Sequence, residues 1–166
     1  REAVETLRAS ISGLTLRTSI IVGFPGETEQ DFIALLDFVE ETRFERLGVF
    51  KYSPEEGTAA AQLDNPVSDD EKERRWQEVM DLQASVSRSK NQALIGSIQR
   101  VMIDGIDETG QAVGRTQAHA PEVDGVVYLH DEFIKPNMAR RQSGEFVQVE
   151  ITEALDYDLI GELQHV

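Results

Sequence analysis

At 166 residues and 40 % hydrophobic content, the chain can bury a core as one domain or as two small ones. Sixteen basic against 31 acidic residues leave a net charge of −15, which works against binding a phosphate backbone and favours a basic partner. The absence of cysteine rules out disulfides, thiolate metal ligands and a thiol nucleophile within these residues.

Val4, Leu7 and Ile11 fall at helical spacing and Gly13 supplies a stop, which predicts a short helix over residues 1–11. That helix opens on Arg1 rather than Met, as expected of a piece of a longer polypeptide. Residues 16–24 (LRTSIIVGF) make a nearly continuous apolar run ending in Gly-Phe-Pro-Gly, the pattern of a parallel strand covered on both faces. Its uncharged part, residues 20–22, is far shorter than the roughly 20 residues of a membrane helix, and no basic-then-apolar leader precedes it, so a cytoplasmic protein is expected. Thr28 and Asp31 form a capping-box-like pair, and Phe32, Leu35, Leu36 and Val39 repeat at helical spacing up to Glu41.

Residues 47–53 (LGVFKYS) read as the next strand, after which Pro54, Gly57 and Pro66 interrupt regular structure across a long loop. Ser68 with Glu71 opens a long helix to about Leu94, with Trp76, Val79, Met80 and Val86 on one face. Beyond Gly96 the period changes from helical to two-residue. Strands over 98–104, 111–117, 125–130 and 145–155, separated by glycine-containing turns, predict a small barrel of four or five strands. The fold class is therefore α/β plus all-β, with β/α units in residues 1–93 and a β domain in 94–166. His119, His130 and His165 stand 11 and 35 residues apart, outside zinc-site spacing, and read as packed or solvated side chains.

The most informative motif is Gly23-Phe24-Pro25-Gly26-Glu27-Thr28, between a strand and a capped helix. At the carboxyl end of a parallel strand, glycines admit a ligand close to the backbone and the next helix offers unpaired amides. The motif lacks the Gly-Lys-Ser/Thr ending of a phosphate loop, and a tight strand-helix turn with Glu27 at the positive end of the helix dipole is the structural alternative. A second candidate, Tyr52-Ser53-Pro54-Glu55-Glu56-Gly57-Thr58, also follows a strand and would open onto the same rim; its alternative is an exposed acidic turn. A third, Gly114-Arg115-Thr116 followed by Ala120-Pro121-Glu122-Val123-Asp124-Gly125, contains a turn signal and reads equally as a loop between barrel strands.

Taken in order, IIVGFPGETEQDF, GVFKYSPEEGT, GRTQAHAPEVDG and the closing DYDLIGEL resemble the methylthiotransferase branch of the radical S-adenosylmethionine enzymes across most of the chain. The resemblance implies the later half of an incomplete β/α barrel followed by a small, OB-like antiparallel β-barrel, the TRAM domain. It implies that Gly23, Phe24, Pro25, Gly26, Glu27, Phe50, Tyr52 and Ser53 border the S-adenosylmethionine pocket, with Gly26 admitting close approach and Phe50 and Tyr52 flanking the adenine. Arg115, Glu122, Asp124 and Asp156 would belong to the surface on which the TRAM domain docks substrate. The intact family enzyme carries two 4Fe–4S clusters, but the family's C-x-x-x-C-x-x-C loop is missing here. No metal ligand and no catalytic residue is therefore expected in this piece, which alone should not cleave the cofactor.

Family members modify either an adenosine of transfer RNA or an aspartate β-carbon of ribosomal protein S-twelve of the small subunit. Residues 94–166 hold 5 basic and 13 acidic side chains and residues 1–93 hold 11 and 18, so neither part has the basic surface RNA rewards. A basic ribosomal protein is the favoured partner, transfer RNA the alternative substrate, and a non-catalytic interaction module the third reading. An open parallel sheet edge also predicts that the piece self-associates.

Overall fold

The computed structural model describes residues 1–130 and 143–164. The chain divides into two compact units, Arg1–Val86 and Ser87–Val166. The division falls inside a helix, before the change of period at residues 93–97, because the last turns of that helix pack with the second unit: Asn91 Nδ2 donates to the Leu155 carbonyl at 3.1 Å.

In the first unit, α1 (Glu2–Ser10) precedes β1 (Arg17–Val22), α2 (Glu29–Thr42), β2 (Arg46–Lys51) and α3 (Asp69–Gln92). β1 and β2 pair in parallel from Arg17 opposite Arg46 to Val22 opposite Lys51. The predicted box at the start of α2 is complete: Asp31 N–H donates to Thr28 Oγ1 at 3.2 Å and Thr28 N–H to Asp31 Oδ2 at 2.9 Å. α3 forms half of its box, with Glu71 N–H donating to Ser68 Oγ at 3.3 Å while the Glu71 carboxylate turns to Arg74 and Arg75.

Val22, Phe32, Val39, Val49 and Val79 form the core of this unit, which places α2 and α3 on the same side of the sheet. The expectation of a strand covered on both faces is therefore corrected. Ile21 and Phe50, cross-strand partners, are 57 % and 58 % exposed on the other face. An apolar run shows that a strand is hydrophobic; it does not show how many layers cover it.

In the second unit, β3 (Ile98–Ile106), β4 (Ala112–Thr116), β5 (Val127–Leu129), β6 (Phe146–Ala154) and β7 (Leu159–Leu163) close into a barrel of order β3-β4-β5-β7-β6. β5 and β7 pair in parallel, and the other four pairings are antiparallel. Inward residues alternate as predicted, with Val101, Ile103, Val127, Val149, Ile151 and Leu159 buried together. β7 is separated from β6 by a turn in which Leu155 N–H donates to the Asp158 carbonyl at 2.9 Å. The barrel is narrow enough that a Cβ on Gly114 would lie 2.5 Å from the Met102 carbonyl oxygen, and one on Gly161 2.5 Å from Val149 Cγ1.

Candidate cofactor-binding turn and recess

β1 and β2 end side by side, and Tyr52 N–H carries the pairing one step further by donating to the Val22 carbonyl at 2.9 Å. Residues 23–27 and 52–54 therefore leave the sheet at one carboxyl edge, where α/β proteins bind ligands. Gly23 and Gly26 have φ of +75° and +84°, a region that disfavours a side chain. A Cβ on Gly23 would lie 2.3 Å from Lys72 Cγ, whereas one on Gly26 would meet nothing within 4 Å. The turn is tied by Glu27 N–H to the Phe24 carbonyl and by Gly26 N–H to the Asn65 carbonyl, both at 2.9 Å. Phe24 meets Tyr52 edge-on, with ring centroids 5.1 Å apart.

Beside the turn lies a recess of about 260 Å³ whose lining includes Gly23, Pro25, Tyr52, Leu63, Val67 and Lys72. Its walls are mainly apolar. The Tyr52 hydroxyl is buried and, among the described residues, has no hydrogen-bond partner. A small, mainly apolar recess suits a flat ring.

Behind the turn, a charged cluster joins it to α3. Glu27 accepts from Gly23 N–H through Oε2 at 3.0 Å and from Arg75 Nη1 through Oε1 at 2.5 Å. Arg75, only 4 % exposed, also donates to Glu71 at 2.8 Å. Arg74 reaches Glu71, Glu78 and Glu29. The hydrogen bonds from Arg74, and then those from Arg75, pull the Glu71 carboxyl down to about 2. Burial works against the charge of Arg75, and its contacts with Glu27 and Glu71 more than restore it, so its pKa rises.

The eight residues predicted for the cofactor are not brought to one surface. Gly23, Pro25 and Tyr52 line the recess. Phe24 and Ser53 are exposed next to it, Gly26 is exposed at the apex of the turn, and Phe50 lies on the open sheet face. Glu27 is mostly buried, with both carboxylate oxygens taken up within the protein. Residues 55–58 form an exposed turn, closed by Thr58 Oγ1 donating to the Glu55 carbonyl at 2.8 Å.

In the second unit, Arg115 pairs with Asp104 and Asp156 with Arg88. Asp124 caps its own loop, accepting from Ala120 N–H at 2.6 Å, while Glu122 is exposed. The acidic residues named for docking are thus partly committed to local structure. His119 is packed, its Nδ1 accepting from Thr116 N–H at 3.2 Å; His130 is exposed, and His165 lies outside the described residues. Among the described residues no three His, Cys, Asp or Glu side chains are grouped to hold a metal ion, and no helix is long and apolar enough to cross a membrane.

Residues 95–163 match the TRAM domain family, over the barrel. Proteins named ribosomal protein uS12 methylthiotransferase RimO are similar to nearly the whole chain: 47 % identical over 162 residues in Natranaerobius thermophilus, 50 % over 157 in Myxococcus xanthus and 48 % over 152 in Legionella pneumophila strain Corby. The chain is RimO-like in both of its units. These alignments cover 96 %, 93 % and 92 % of the chain but only 35 %, 32 % and 33 % of the relatives, so the chain spans about a third of their length.

In this RimO-like chain Lys72 and Arg75 pack against the turn from α3, yet neither belongs to a motif visible in the sequence. A signal for Arg75 exists. It stands four residues before Val79 and eight before Gln83, a row that is buried in the structure, and a cation on a buried helix stripe needs a carboxylate partner.

Proposed function

We propose that the chain is part of an enzyme that adds a methylthio group to ribosomal protein uS12, as the names of its relatives say, and, as the family resemblance implies, that it does so at an aspartate by radical S-adenosylmethionine chemistry. The carrying observation is the likeness itself, which runs through the β/α unit and the barrel alike at 47–50 % identity. In this reading, residues 23–26 and Tyr52 form one wall of the S-adenosylmethionine pocket. The recess, about 260 Å³ with mainly apolar walls, has room for an adenine-sized ring. When bound, the cofactor supplies the radical chemistry that opens an unactivated carbon–hydrogen bond. The residues of this chain bind and orient it and keep water from one side.

The 4Fe–4S clusters do not fit these residues, because such clusters are held by cysteine thiolates and the chain has none. Their ligands belong to other parts of the whole protein, and this chain alone is inactive. The TRAM barrel docks the substrate, and a local excess of acidic over basic residues favours a cationic protein over RNA. The whole protein acts in the cytoplasm, where ribosomes are assembled.

The test is an anaerobic reconstitution of the intact protein with S-adenosylmethionine, a reductant and a sulfide source, offered uS12 and transfer RNA separately. A methylthio mass gain on a uS12 peptide is expected. Modification of transfer RNA with uS12 untouched would overturn the assignment of substrate.

A further inference from the structure

We propose that Arg75 is a positioning residue of the cofactor site, holding the turn at residues 23–27 in the shape that lines the recess. The inference rests on the reading of that recess as the S-adenosylmethionine pocket. The family resemblance puts Glu27 at the border of the cofactor pocket, yet its side chain is 13 % exposed and both oxygens bind within the protein. One oxygen accepts from Gly23 N–H across the turn, and the other accepts from Arg75 Nη1, which also reaches the Glu27 carbonyl at 3.2 Å. The guanidinium thus grips both the side chain and the backbone at one end of the turn, while the carboxylate it fixes holds the amide at the other.

A largely buried carboxylate keeps such a position only while its counter-ion is present. Without Arg75 the carboxylate regains water by swinging outward, and Gly23 N–H loses its acceptor. Arg75 itself cannot wander, since Glu71 holds Nε at 2.8 Å and the Phe32 ring lies beneath the guanidinium at 5.3 Å. Gly23 and Pro25 line the recess directly, so a loosened turn changes the wall that the cofactor meets. Arg74, its neighbour in sequence, supplies the internal control. It shares Glu71 and Glu29 with Arg75 but has no bond to Glu27.

The experiment uses the intact protein with its clusters reconstituted, comparing R75Q, R75K and R74Q by the KM for S-adenosylmethionine, kcat and equilibrium cofactor binding. R75Q is expected to raise KM roughly tenfold or more, the loss of one charge-assisted hydrogen bond to the turn, with a smaller effect on kcat. R75K, which restores charge without the two-point grip, should recover part of that loss, and R74Q should stay within about twofold of the parent. A folded R75Q with the parent's KM overturns the proposal. Should R75Q fail to fold, the E27Q/R75Q double variant carries the test, because it leaves no unpaired buried carboxylate. A KM raised there to the same extent as in E27Q alone supports Arg75 acting through Glu27, and the parent's KM, or an effect that adds to that of E27Q, overturns it. An intact parent with no affinity for S-adenosylmethionine would instead overturn the functional reading, whatever Arg75 does.

Discussion

Replacing Gly23 and Gly26 separately with alanine distinguishes two reasons for glycine in the same turn. Both residues have positive φ, and an alanine held there costs roughly 1–2 kcal/mol. At Gly26 that is the whole expected effect, because the added Cβ meets nothing within 4 Å. At Gly23 the same atom would overlap Lys72 Cγ at 2.3 Å and crowd Cδ and Cβ at 3.2 and 3.3 Å. Overpacking of this kind adds about 1–3 kcal/mol, so G23A should destabilise by roughly 2–5 kcal/mol against about 1–2 for G26A. K72A removes Cγ and Cδ, so the G23A/K72A double variant should recover most of the difference. K72A alone loses the packing of a side chain only 12 % exposed, so the double variant is compared with K72A as its own reference; the ion pair to the exposed Asp69 adds little. Urea unfolding followed through Trp76 reads this unit specifically: it is the chain's one tryptophan, and its indole N–H donates to the Val49 carbonyl at 3.0 Å. Equal destabilisation by G23A and G26A, or no recovery in the double variant, would refute the close approach of α3 to the turn.

Two further outcomes follow from the charges. Glu71 has its folded pKa depressed from 4.5 to about 2, so its contribution to stability is fully present above 4.5 and is lost as pH falls toward 2. E71Q should flatten the acid side of the stability profile across that window, as measured by urea midpoints on either side of it; an unchanged slope would show that the Arg74 and Arg75 contacts are not held in solution. On the barrel, E122K should weaken capture of uS12 by the intact protein, and the parent's binding should fall with added salt. Glu122 is the informative position, because Asp124 and Asp156 are tied to Ala120 and Arg88 and their reversal would also disturb the fold. Unchanged capture by E122K would remove that loop from the docking surface.

The barrel was legible where burial alternates strictly, as along β6, whose residues from Phe146 to Ile151 turn outward and inward in step. β7 was harder to separate. It is only five residues long, follows β6 after a short turn, and contains Gly161, whose place is set by close approach of Val149 and not by any propensity. The parallel pairing of β5 with β7 is likewise invisible to a two-residue period, which describes faces and not neighbours. In the first unit, the strands and both helix caps could be read, because each depends on residues within three or four positions of one another. How many layers cover the sheet depends on where α2 and α3 pack, and no local pattern in LRTSIIVGF encodes that.

The same limit explains Glu27. Local reasoning offers it a favourable charge at a helix N-terminus and the family resemblance a place at the border of the cofactor pocket, because only its neighbours in sequence are in view. The role it has in the structure depends on Arg75, 48 residues away. The carboxylate becomes part of the scaffold, and the recess is left with mainly apolar walls and the backbone of the turn. If the recess is the cofactor pocket proposed above, it recognises a ring by shape and by backbone approach, and its affinity depends on how firmly the turn is held. The residues behind the turn should therefore affect cofactor binding as strongly as those in front of it. Among them the fork of Arg75, engaging carboxylates of both the turn and α3, has no equivalent in a lysine.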